Sequence, residues 1–339
     1  MPLTLTINTD AWRSHQRSLL ADVPGLVPVL KGNGYGFGLD LLAREATALG
    51  VGSISVGIAQ EVAAVRAGGW TGDVVVLNPW RPFDDAATAL LDDPGVIATI
   101  SRADDLRAVA AEHPTARVIV EIETAMHRHG LDPRNLTAED FGELTFEGWA
   151  VHLPSSGLLV EARRLAATGV SVRPAPVWVS HLSVADYAQF AREFDARMRV
   201  GTRLWLGDKA AYHTTATVLD VHPVKRGQEL GYHSVKAPKE GHLVIVSGGT
   251  AHGVAMAAPT PQRSLRQRGV TAAQGVLDAL GRSLSPFTIG GRKRAFAEPP
   301  HMHSSMVFVP GATPPAQVGD VVPVTTRMTT VTPDEVRFS

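Results

Sequence analysis

The sequence contains no cysteine. Disulfides, a thiolate nucleophile and cysteine-ligated zinc are thereby excluded, and a reducing compartment suits such a chain. Charged residues are also scarce, at 19%, below the roughly one quarter of an average domain. The formal net charge is −1, so no basic field exists to attract nucleic acid or an anionic membrane, and neither is an expected partner. No apolar run reaches membrane-spanning length. The opening stretch MPLTLTINTDAW alternates apolar and polar residues and lacks the basic and apolar regions of a secretory signal. The expected location is the cytoplasm.

What is present is apolar material and rhythm. Hydrophobic residues make up 44% of the 339, ample for one domain of about 200–250 residues and a smaller companion. Short β-branched runs predict strands at Leu26–Leu30, Ser53–Gly57, Asp73–Leu77, Val96–Ile100, Arg117–Glu123, Glu147–His152, Pro176–His181 and Thr202–Leu206. Between them lie helical patterns such as LDLLAREATALG and LLVEARRLAATG, apolar at helical spacing and ending in glycine. Eight such units imply parallel strands with crossover helices, an α/β fold closed as a (β/α)8 TIM barrel. A doubly wound open sheet is the alternative, but no GxGxxG opens a helix. GNGYGFG (residues 32–38) has glycine at every second position, which fits neither the dinucleotide nor the Walker pattern.

Beyond residue 215 the segments HLVIVSGGT, SSMVFVPG and DVVPVTTRMTTV are β-rich between proline and glycine turns. The chain therefore reads as a barrel over residues 8–215 and a C-terminal all-β domain over 216–339, joined by the N-terminal strand within 1–7. A helical insertion is expected around Ala272–Leu284.

Ligands of such barrels bind at the carboxyl ends of the strands. The first strand ends in Lys31, followed by Tyr35. A partly desolvated lysine amine there is suited to Schiff-base chemistry, the alternative being an ordinary surface lysine. The fifth strand leads into EIETAMHRHG with Glu121 and Arg128, the sixth ends in His152, the seventh in His181-Leu182-Ser183, and Arg199-Val200-Gly201-Thr202 opens the eighth. Lysine, tyrosine, serine, arginine and a Gly-Thr corner facing one mouth suit a phosphorylated aldehyde cofactor.

These residues also carry a family resemblance. KGNGYGFG resembles the pyridoxal-phosphate lysine motif of the alanine racemase family, the fold type III PLP enzymes. ETAMHRHG, GWAVHL and RVGTRLWLG resemble further segments of that family in the right order, and SGGTAHG and HMHSSMVFV resemble its β-domain segments. The resemblance implies pyridoxal 5′-phosphate held as an aldimine by Lys31, which also serves as a base on one face of the substrate α-carbon. Tyr35, Ser183, Gly201 and Thr202 would hold the phosphate, His152 the ring face, and Arg199 the pyridine nitrogen. Arg128 would bind near the phenolate oxygen and the substrate carboxylate, with Met302 offering its amide from a partner subunit. Glu121 stands where many racemases have a carbamylated lysine and could pair with Arg128. A homodimer with shared active sites is implied.

Four positions of the β-domain segments depart from the family. Thr250 stands where the second base, a tyrosine, is found; an aliphatic hydroxyl is a poor unaided acid or base. His252 and His303 replace aspartates and His301 replaces a cysteine. Imidazole titrates near neutrality, so His252 or His303 could take over proton transfer. HMH, read as a strand, would also place two rings on one face, which is the spacing of a metal pair. The implied function is racemase-like α-proton exchange on a small amino acid. The alternatives are other PLP chemistry at the same carbon (one-sided exchange, elimination, retro-aldol cleavage, decarboxylation) and a non-catalytic PLP-binding relative.

Overall fold

The computed structural model describes residues 2–154, 158–256, 269, 275 and 283–339. The chain forms two compact units, Arg13–Gly207 and a second made of Met1–Trp12 with Asp208–Ser339.

The first unit is a closed barrel of parallel strands. After β1 (Thr4–Ile7), which belongs to the other unit, these are β2 (Leu26–Leu30), β3 (Ser53–Val56), β4 (Asp73–Val76), β5 (Val96–Ile100), β6 (Arg117–Ile122), β7 (Thr145–His152), β8 (Val177–Ser180) and β9 (Ala196–Val200). β9 closes the circle on β2, with Val27 opposite Arg199. β2 and β5 are buried along their whole length, as expected of parallel strands covered on both faces. Val27, Val75, Ile97, Ile119, Ala150 and Trp178, one each from β2, β4, β5, β6, β7 and β8, pack together as one core cluster. The barrel is thus plugged by side chains rather than open as a pore. At the amino-terminal ends of the strands, Arg117 binds Asp73 through two nitrogens at 2.6 and 2.8 Å and Glu147 at 2.8 Å.

One strand lies elsewhere than the sequence predicts. Thr202–Leu206 is a short helix, and the eighth strand is Ala196–Val200. A short apolar run such as TRLWL does not distinguish strand from helix by periodicity. Here the helix buries Leu204 and Trp205, and the Trp205 indole donates to the Val29 carbonyl at 2.9 Å. Arg199 and Val200 therefore end a strand instead of beginning one.

Among the described residues the second unit is antiparallel apart from one pairing. Its strands are β1, β10 (Tyr212–Val224), β11 (Glu229–Leu230), β12 (Val235–Lys236), β13 (Gly241–Ser247), β14 (Leu284–Ile289), β15 (Arg292–Phe296), β16 (Ser304–Pro310), β17 (Val321–Val324) and β18 (Glu335–Phe338). The main sheet runs β13-β16-β15-β14-β17-β10-β1-β18. β1 lies antiparallel to β10 and parallel to β18. Ser305, Val307 and Val309 of β16 alternate inward, the period of a half-buried strand. The helix expected over Ala272–Leu284 falls outside the described residues apart from Gly275 and the last two, and Leu284 begins β14.

Candidate active site

Because the barrel strands are parallel, the residues after β2, β6, β7, β8 and β9 share one rim. Lys31 follows β2 directly. The next residues turn tightly: Gly34 has φ +61°, and Tyr35, with φ +54°, is one of the few non-glycine residues in the left-handed region. A Cβ at Gly34 would lie 2.7 Å from the Leu39 nitrogen, so only glycine fits that bend. Glu61, just beyond β3, reaches back to this loop. Its carboxylate accepts from the amides of Gly32 and Gly57, each at 2.6 Å, and of Ile58 at 3.3 Å. Burial lowers the Lys31 amine below its ordinary pKa; Arg128 adds to that, Glu61 opposes it, and Arg199 lowers it further.

The bend buries Tyr35. Its phenol is pushed up to about 12, first by burial and then by Glu61, against a hydrogen bond with Thr202. The phenol is a neutral donor at working pH. A Cβ on Gly201 would lie 2.0 Å from the Tyr35 hydroxyl. Tyr35, Gly201 and Thr202 are therefore brought together. Ser183 caps the helix Val184–Phe190, accepting from the Asp186 amide at 3.0 Å and donating to its carboxylate at 2.7 Å. Arg203 ties this corner down by donating to the Leu182 carbonyl at 3.3 Å.

Arg199, on β9, is 7% exposed. Its Nε and Nη2 are buried and have no hydrogen-bond partner among the described residues. Burial lowers its pKa to about 10, partly offset by Glu121, and it remains a cation. Glu121 is buried on β6 and lies 3.8 Å from the Arg128 guanidinium. His152 ends β7, its Nδ1 paired with the Ser180 hydroxyl at 2.9 Å and its ring edge-on to His181 at 5.1 Å. Burial, then Arg199, Arg128, His181 and Lys31, push His152 down to about 3. His181 is lowered by burial and by the same cations, with Arg203 added. The rim therefore gathers fixed cations around imidazoles whose charged form is disfavoured, a setting for an anionic ligand with an aromatic face.

The candidates of the second unit also cluster. The Thr250 amide donates to the His301 carbonyl at 2.8 Å and that of Ala251 to Met302 at 3.0 Å, so the Gly-Gly-Thr turn lies on the His-Met-His segment. His252 is buried. Its Nδ1 accepts from the Gly249 amide at 3.1 Å and its Nε2 faces Asp334 at 3.0 Å. The first bond makes Nε2 the protonated nitrogen, so both ring positions are committed to holding the turn. His303 is exposed, edge-on to His252 at 5.7 Å, and Met302 and Thr250 are exposed beside it. The HMH segment precedes β16 and is not itself strand. His301 turns away to Glu298, at 2.7 Å, and to Tyr232, so the two rings part and do not form a metal pair. Glu61 and Asp334 had no signal in the sequence, since each acts on groups far away in the chain or on backbone amides.

The alanine racemase N-terminal domain family matches residues 7–168. An alanine racemase of Desulfovibrio desulfuricans is 32% identical over 164 residues, 46% of this chain and 44% of that protein. That of Mycobacterium tuberculosis is 32% identical over 266 residues, 68% of this chain and 67% of that protein. The crystal structure of alanine racemase from Bartonella henselae with covalently bound pyridoxal phosphate superposes with a TM-score of 0.73 at 18% identity, covering 100% of both chains. Among the described residues no helix is long and apolar enough to cross a membrane. The chain belongs to the alanine racemase family.

Proposed function

We propose that the barrel binds pyridoxal 5′-phosphate covalently on Lys31 and exchanges the α-proton of a small amino acid. The observation that carries this reading is Arg199, a buried guanidinium with two nitrogens that nothing among the described residues satisfies. Such a group costs free energy unless a ligand acceptor meets it, and a pyridine nitrogen is an acceptor of the right kind. When bound, the cofactor supplies an electron sink that acidifies the α C–H of an attached amino acid.

The protein's part is to bind and to move protons. Tyr35, Thr202, Gly201 and Ser183 hold the phosphate. His152, kept neutral, supports the ring face. Arg199 donates to the pyridine nitrogen and, being unable to give up its own proton, keeps that nitrogen unprotonated. This favours short-lived carbanion chemistry such as racemisation over decarboxylation. Arg128, steadied by Glu121, binds the substrate carboxylate. Lys31 exchanges the proton on one face, and burial, by lowering its amine pKa, favours the neutral form that a base needs.

For the other face, His303 is the residue we assign, from the partner in a homodimer, with Met302 giving its amide to the substrate carboxylate. His252, whose ring is committed to Gly249 and Asp334, acts as its support, and Thr250 is at most a relay. The weakly acidic Thr250 hydroxyl also favours a second reading, one-sided exchange with retention. The setting we infer is cytoplasmic.

Two measurements test this. Borohydride treatment of the protein incubated with pyridoxal phosphate, followed by peptide mapping, is expected to label Lys31; no label there overturns the cofactor assignment. Proton NMR of L- and D-amino acids in deuterated buffer then separates exchange with inversion from exchange with retention. His303→Gln is expected to slow inversion about a hundredfold or more, the usual weight of a general acid–base group. Inversion at the wild-type rate in that variant removes His303 from the mechanism.

A further inference from the structure

Glu61 has no part in the roles above, yet it touches the loop that carries Lys31. It follows β3 and joins two rim loops through three amides, those of Gly32, Gly57 and Ile58, at 2.6, 2.6 and 3.3 Å. The contact is tight: a Cβ at Gly57 would lie 3.0 Å from the Glu61 carboxylate and 3.1 Å from the Lys31 Cβ. A carboxylate is the side chain suited to this, because it offers two acceptor oxygens and no donor. Charge-assisted bonds to backbone amides are among the stronger ones in a protein.

We propose that Glu61 is a positioning residue for Lys31, clamping the main chain beyond the lysine to the loop after β3 and setting one anion beside its amine. The charged groups acting on that amine are Arg128, Arg199 and Glu61, and it acts in turn on the rings of His152 and His181. Glu61 is the anion among them. It favours the protonated amine, against burial and the two guanidinium groups. It also acts on Tyr35, where its charge helps to keep the phenol protonated. A single carboxylate thereby couples the lysine to the phosphate-binding end of the rim. The proposal rests on the cofactor reading for its purpose, though not for its measurement.

The test uses the full-length protein without cofactor. Competitive acetylation of Lys31 across pH, read by peptide mass spectrometry, gives the titration midpoint of the amine. Amide hydrogen exchange reads the clamp. In Glu61→Gln the midpoint is expected to move down, because the opposing anion is gone, and the Gly32 and Gly57 amides to exchange about ten- to a hundredfold faster. In Glu61→Asp, which keeps the charge and loses reach, the midpoint is expected to stay while exchange still quickens. A wild-type midpoint together with wild-type protection in Glu61→Gln overturns the proposal. Should that variant fail to fold, wild-type protection of both amides in Glu61→Asp overturns it equally. A wild-type protein that takes up no pyridoxal phosphate would defeat the cofactor reading alone and leave the shift in the Lys31 midpoint standing.

Discussion

At the scale of single residues the site is governed by which groups are kept charged and which are not. Arg199 stays cationic although buried, while His152 is pushed down to about 3, mainly by burial. A free histidine titrates near ~6.5. Above that pH neither the folded nor the unfolded chain protonates His152, and its ionisation has no effect on stability. As the pH falls from ~6.5 the unfolded chain takes a proton that the folded one refuses, so stability is lost progressively until about pH 3. His152→Gln is expected to flatten the acid limb of the stability curve by up to about 1.4 kcal/mol per pH unit. Urea unfolding between pH ~4 and ~7 measures this, and parallel slopes for variant and parent would show that the imidazole is not shielded. The candidates that the rim brings together, among them Lys31, Tyr35, His152, Gly201 and Thr202, were legible as candidates because each stands at the end of a strand or in a glycine-shaped loop. Glu61 was not, because an acidic residue opening a helix is common and its partner Gly32 lies 29 residues away. His252 was legible as a substitution but not as a supporting residue, since Asp334 lies 82 residues further on.

Elements position these residues by their ends. Seven barrel strands lie where alternating apolar runs and glycine-ended helices put them. The eighth did not, because ARMRV carries arginines at two of its five positions and hides a buried strand behind charge. Its end matters most at Gly201, where the strand turns into the helix Thr202–Leu206 and the Tyr35 phenol fills the space a side chain would take. Gly201→Ala is expected to displace that buried phenol, with an overpacking cost of about 1–3 kcal/mol and a Tm lower by several degrees in the cofactor-free protein. Affinity for pyridoxal phosphate should fall with it, by roughly tenfold for each ~1.4 kcal/mol of lost contact. Calorimetry and cofactor titration check both, and an unchanged Tm would mean that the corner yields without strain. In the second unit, the sequence reading missed β14, β15 and β18. The first is interrupted by Pro286, and the second, RKRAF, is mostly charged. Neither shows the apolar alternation by which a strand is read.

On the scale of the whole molecule, the barrel unit is one continuous stretch of chain and the β unit is made from both ends of it. β1 lies between β10 and β18, with Thr4 opposite both Thr215 and Glu335. Removing residues 335–339 would expose one edge of β1, leaving unpaired backbone groups. Amide protection is expected to fall in Thr4–Ile7 and Tyr212–Val224 while the barrel strands keep theirs; equal loss in both units would mean that they unfold as one. The same arrangement sets a timetable. Leu3 donates to Asp334 across a separation of 331 residues, so β1, once made, has to wait for a segment synthesised that much later. Every barrel strand pairs with one next to it in the chain, and the single distant pairing, β2 with β9, closes the circle. On a ribosome adding about 5–20 residues each second, β1 therefore spends at least some 15 seconds without its β18 neighbour, a period in which chaperones, rather than the native sheet, would cover that edge.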